Sequence, residues 1–163
     1  MTSTQRSQTI HAPSEEPIPP HHKTVFLAGT TTAVDAAPDW RETLSASLSP
    51  HPVTIFNPHR PDWDATWRED IAFPPYREQV QWELSRQRAA DLVVVYFHPA
   101  TLAPVSLLEL GLWARVPGKV VAVAPEGYRK RGNVQMVCRE FGVRFLERVE
   151  EVYGVVVERL GLE

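Results

Sequence analysis

The apolar positions of the chain fall into short unbroken runs separated by stretches of helical spacing. Residues 24–28, 53–56, 92–97, 119–123 and 143–145 are β-branched or aromatic runs too short for helices, the pattern of strands covered on both faces of a parallel sheet. Between them the spacing predicts a helix over 38–48, where Trp40, Leu44 and Leu48 recur every four residues and Asp39 stands early enough to favour a helix start. A second helix is predicted over 76–90, with Val80, Leu84 and Gln87 near helical spacing and no internal Gly or Pro, closed by Asp91. A third, over 105–115, follows Pro104 and is apolar on almost every side, so it is expected to pack deeply. Two more are expected over 132–141 and 149–160. This alternation predicts a single doubly wound α/β domain, flavodoxin- or Rossmann-like, with a five-stranded parallel sheet flanked by helices. Such sheets bind ligands at the carboxyl ends of their strands.

Ahead of the first run, residues 1–22 are polar and rich in Ser, Thr and Pro, with Pro13, Pro17, Pro19 and Pro20 set against regular structure. They read as a disordered tail, leaving the folded domain over 23–163.

Composition narrows the partners. The 163 residues suffice for a core without metal or disulfide staples, and 43% apolar with 23% charged residues is a globular balance. A formal net charge of −3 gives no general pull toward polymeric nucleic acid or an anionic membrane. With one cysteine, Cys138, no intrachain disulfide forms, and no long apolar run or leader is present, so an intracellular, cytoplasmic location is the expectation. Cys138, among Val137 and Phe141, reads as a packed thiol. The six histidines show no paired helical spacing, and neither a dinucleotide glycine fingerprint nor a phosphate-loop lysine occurs, so no metal or other cofactor is implied.

Glu109 stands out as a lone carboxylate in the apolar stretch 105–113, where burying an ionised group is costly without a purpose. Two roles fit: a partly wet Glu stabilised near a helix start, or a nucleophile that displaces a base at the anomeric carbon of a sugar and forms a covalent glycosyl intermediate. Glu83, beside Arg86 and Arg88, reads in isolation as solvated surface. Asp91 reads as a cap before the central strand. In the loop 57–64, Trp63 can stack on a base while Asn57, Arg60 and Asp62 grip polar edges, although a Pro-rich loop with a Trp folded onto the core has the same composition. The basic segment 129–131 followed by Asn133 either converges on an anion at a helix start, or is a solvated turn with Asn133 capping the helix.

Three stretches together resemble the nucleoside 2-deoxyribosyltransferase family, including its nucleotide N-hydrolase branch: the strand and glycine loop ending at Gly29, the central run led by Ala90 and Asp91, and Glu109 followed by Leu110 and Gly111. The resemblance runs from Thr24 to about Asn133. It implies that Glu109 is the nucleophile. Glu83, eight positions before Asp91, then moves a proton to the leaving base or orients the sugar. It also implies a homo-oligomer in which a neighbour completes the site, and the surface expected from Trp63, Trp67 and Trp82 suits such an interface. Two departures are visible. Ala103 stands where the family carries an Asp or Ser contacting the 5′ end of the sugar, and Phe26 replaces a Tyr near the nucleophile. Ser106, three residues before Glu109, is expected to offer the missing hydrogen bond.

The sequence therefore predicts cleavage or exchange of the base of a nucleoside or nucleoside 5′-monophosphate through a glycosyl-Glu109 intermediate, with hydrolysis preferred. The alternative is a non-catalytic module binding a nucleotide or an ADP-ribose-like ligand, and a third reading is a structural interaction domain.

Overall fold

The computed structural model describes residues 6–30 and 39–162. Its strands are β1 (Gln8–His11), β2 (Lys23–Gly29), β3 (Val53–Asn57), β4 (Leu92–Tyr96), β5 (Val120–Val123) and β6 (Arg144–Leu146). They form one sheet in the order β1-β3-β2-β4-β5-β6, every neighbouring pair parallel. Its helices are α1 (Trp40–Leu48), α2 (Pro74–Ala89), α3 (Pro104–Trp113), α4 (Arg131–Phe141) and α5 (Val152–Leu160), the last preceded by a 3-10 turn at Val149–Glu151. Without β1, the strand order is the flavodoxin-like one, reversing direction between β2 and β4. Among the described residues no helix is long and apolar enough to cross a membrane.

Strand alternation sorts the core into two layers. Phe26, Ala28, Val93, Val95 and Ala122 face Trp82 of α2, Leu110 of α3 and Val134 and Cys138 of α4. Their neighbours Val25, Leu27, Val94, Val121 and Val123 face Leu44 and Leu48 of α1 and Val152, Val156 and Leu160 of α5. Every residue of β3, β4 and β5 is buried, which is why these strands carry unbroken apolar runs. The predicted cap of α1 is present, with the Asp39 carboxylate accepting from the Arg41 N–H at 3.0 Å.

The sheet has six strands rather than five, because residues 8–11 pair in register with Thr54–Asn57. The reading of 1–22 as a disordered tail is corrected over 6–22; residues 1–5 lie outside the described residues, as does most of the Thr-rich loop after Gly29. Ile10 is fully buried, and the prolines that suggested disorder all fall after the strand. The following turn is pinned to α2, whose Trp82 Nε1 donates to the Ser14 carbonyl at 2.8 Å while Arg86 pairs with Glu15 at 2.6 Å. On α2, Leu84 is exposed rather than packed.

Two backbone positions shape the end of the sheet where the strand order reverses. Gly29 has φ +115°, and a Cβ there would lie 2.2 Å from the Tyr96 carbonyl oxygen, so only glycine lets β2 end this close to β4. Ala103 starts α3 in the left-handed region at φ 47°, a conformation that costs an L-residue about 1–2 kcal/mol.

Candidate active site

The carboxyl ends of β2, β3 and β4 open into a cleft of about 660 Å³, within the usual range for a small-molecule site. One wall is the first turns of α3, with Pro104, Val105, Ser106 and Glu109; the other is α2, whose Tyr76, Gln79, Val80 and Glu83 share one helical face. Gly29, Thr30 and Arg41 form the floor, and the loop after β3 contributes Pro58, His59, Arg60 and Trp63 at the rim. Thr30 ties the floor together, its hydroxyl accepting from the His98 N–H at 3.1 Å and lying 3.1 Å from the Thr101 hydroxyl.

Glu109 is 8% exposed. Burial pushes its carboxyl up to about 7, the Glu83 charge adds to that, and a hydrogen bond from Gln87 and the charge of Arg41 oppose it. Gln87, fully buried, donates Nε2 to Glu109 Oε1 at 2.5 Å and accepts at Oε1 from Trp113 Nε1 at 2.7 Å. Glu83 is half-buried and also raised by burial, against a 2.9 Å hydrogen bond from Gln79 and the Arg41 charge. Gln79 Nε2 also reaches the Pro58 carbonyl at 2.9 Å, fastening the loop to α2. Burial thus disfavours the charged form of both carboxyls on the cleft.

The charge of Arg41, 1% exposed, acts on both carboxyls. Burial pulls its guanidinium down to about 10 against the charges of Asp39, Glu109 and Glu83. Its Nη2 donates to the Gly29 carbonyl at 3.1 Å, while Nε and Nη1 are buried with no hydrogen-bond partner among the described residues. A buried guanidinium with a free N–H edge on a cleft is suited to an acceptor on a ligand.

Of the residues singled out in the sequence, Glu109, Glu83, Gly29, Ser106, Arg60 and Trp63 line this cleft. Ser106 is buried there but makes no hydrogen bond to Glu109; Gln87 makes it instead. Arg60 lines the rim tied up in ion pairs to Asp62 and Glu78, both at 2.7 Å. Asp62 itself does not line the cleft, because Arg60 holds it on the exposed side. Phe26 is fully buried, since strand alternation sends it into the core against Trp82. Asn57 is buried at the end of β3, where its side chain accepts from the His59 N–H at 3.0 Å and turns the chain. Asp91 lies at the opposite, amino end of β4, bonded to the Thr24 N–H at 2.8 Å and the Thr24 hydroxyl at 3.1 Å. Asn133 is exposed inside α4, whose cap position is Lys130. The basic segment before it does not border the cleft, and Arg131 turns to the Ala124 carbonyl and Glu147.

Trp82 is buried, whereas Trp63 and Trp67 stack with Tyr76 and Phe73 in a cluster over the cleft rim. The sequence reading missed Arg41, Gln79, Tyr76 and the role of Gln87. Gln79 was legible in principle, four residues before Glu83 on the same helix face.

A family model described as nucleoside 2-deoxyribosyltransferase like matches residues 22–128. The chain belongs to this family, an enzyme family whose chemistry concerns the N-glycosidic bond of nucleosides. The match spans every element that lines the cleft. No individual curated protein matches the chain in sequence.

Proposed function

We propose that the protein breaks the N-glycosidic bond of a nucleoside or nucleoside 5′-monophosphate through a covalent glycosyl-Glu109 intermediate. The observation that carries this reading is that Glu109 on α3 and Glu83 on α2 line one cleft. Burial raises both carboxyls, and the reaction runs through the form in which Glu109 is ionised and Glu83 keeps its proton. The Glu109 carboxylate attacks the anomeric carbon as the C–N bond breaks, and protonated Glu83 gives its proton to the departing base. Water, deprotonated by Glu83, then attacks the anomeric carbon and frees Glu109. A second base in place of water would make the reaction a transfer. Hydrolysis is the preferred outcome because the cleft is partly open, so water can reach it. The basic segment 129–131 lends it no support, since it faces elsewhere.

The test is chromatographic product analysis over a panel of ribo- and deoxyribonucleosides and their 5′-monophosphates, with and without an acceptor base. Free base released by the wild type and lost by at least a hundredfold in Glu109→Ala is the expected result. Binding without release from any member overturns the reading in favour of a ligand-binding module.

A further inference from the structure

We propose that Gln87 is a positioning residue for Glu109: its amide, locked in one orientation by Trp113, selects which carboxylate oxygen faces the cleft and holds negative charge there. This rests on Glu109 being the reacting carboxylate of the function proposed above. Gln87 does not line the cleft itself, so it acts only through Glu109.

The geometry leaves the amide no freedom. An indole N–H can only donate, so Trp113 must receive the Gln87 oxygen, at 2.7 Å, and the Gln87 NH2 must then point at Glu109 Oε1, at 2.5 Å. Gln87 lies one turn beyond Glu83 on α2, and Trp113 one turn beyond Glu109 on α3. The contact thus bolts the two catalytic helices together at the depth of the carboxylates. Trp113 is clamped in turn by Lys119, whose ammonium stands 5.1 Å over the ring and donates to the Arg88 and Ala90 carbonyls at the end of α2. An apolar side chain would pack at position 87 without needing two polar partners. A buried amide is costly unless both ends are bonded, and here both are spent on this relay.

The bond occupies Oε1 and leaves Oε2 of Glu109 for a ligand. A donor on a carboxylate favours its charged form, opposing burial and the Glu83 charge from α2, in the same direction as Arg41 from α1. The other titratable or charged groups on the cleft are His59 and Arg60 from the loop after β3, Glu69 from the segment before α2, and Tyr76 on α2.

The experiment is a carboxyl-carbon NMR titration of the ligand-free, glutamate-labelled protein, with Glu109 assigned from Glu109→Gln. Its midpoint is expected to rise by about one pH unit or more in Gln87→Met, and by less in Trp113→Phe, which leaves the amide in place but free to turn. A midpoint unmoved in both variants overturns the proposal whether or not the protein cleaves nucleosides. For any substrate the wild type cleaves, the acidic limb of kcat/KM should move up with that midpoint, giving about a tenfold loss per unit below it and recovery at pH 9. A loss equal at every pH would assign Gln87 a packing role and overturn the proposal. Should Gln87→Met fail to fold, Trp113→Phe carries the titration alone.

Discussion

Glu109 holds its proton more tightly in the folded protein than in the unfolded chain, at about 7 against 4.5. A carboxyl raised by folding costs nothing while protonated, below the unfolded value. The cost grows as pH rises between the two and is constant above the folded value. The gap corresponds to about 3 kcal/mol at pH 8. Glu109→Gln should therefore raise stability toward denaturant at pH 8 by up to that amount and leave it nearly unchanged at pH 4. Equal effects at both pH values would count against a strained carboxylate. Arg41 makes a second residue-scale prediction. Arg41 lines the cleft, and its Nε and Nη1 have no hydrogen-bond partner among the described residues, so Arg41→Met in the Glu109→Gln background should weaken binding of the preferred ligand by about tenfold or more, the value of one charge-assisted hydrogen bond. Calorimetry decides it, and unchanged affinity would remove Arg41 from the ligand contacts.

Legibility at this scale followed burial. Glu109 was visible because a carboxylate in an apolar run is itself an anomaly. Arg41, next to Glu42 on a helix with polar neighbours, carries no such mark; it is buried only because α1 crosses the end of β2 at Gly29. Gln87 appeared in the helical periodicity, but its partner Trp113 is 26 residues away and no local spacing brings them together. The family resemblance set Phe26 near the nucleophile; its side chain is buried in the core beside Trp82.

Among the elements, β2 to β6 and all five helices were legible from apolar runs and helical spacing, with ends shifted by up to three residues. β1 was not, because a four-residue edge strand has room for only one fully buried apolar side chain, Ile10, and proline-rich sequence follows it. That residue gives the element a measurable weight. Ile10→Ala should cost about 2–5 kcal/mol in a denaturant titration, whereas a tail residue would cost nearly nothing. The other element-scale constraint is Gly29, where an added Cβ would collide with the Tyr96 backbone. These are backbone atoms rather than the end of a flexible side chain, so the separation of β2 from β4, and with it the cleft floor, depends on that glycine.

At the scale of the whole molecule, of the three tryptophans expected at an interface Trp82 is inside, while Trp63 and Trp67 cluster at the cleft rim. Among the described residues, five exposed large apolar side chains gather on α3 and its flanks, Leu102, Val105, Leu108, Leu112 and Val116, with Leu108 exposed to 66%. Helix α3 was predicted to pack on every side, yet this face is bare within the single chain. Its only charged residue, Glu109, is buried on the other side. Gly111 has nothing within 4 Å of an added Cβ, so another backbone can come close there. A two-fold axis sets a patch against itself, and an uncharged apolar stripe is complementary to its own copy without any pairing of signs. We therefore expect a homodimer through α3. Sedimentation velocity should find the wild type dimeric, and Leu108→Glu with Leu112→Glu monomeric while retaining the wild-type circular dichroism spectrum. A wild type that stays monomeric up to about 100 μM, well above typical obligate-dimer affinities, would refute the expectation. Val105 belongs to both the stripe and the cleft, so the partner would border the cleft mouth. The monomeric variant should then lose kcat/KM as well as association, and full activity in the monomer would mean that one chain builds the whole site.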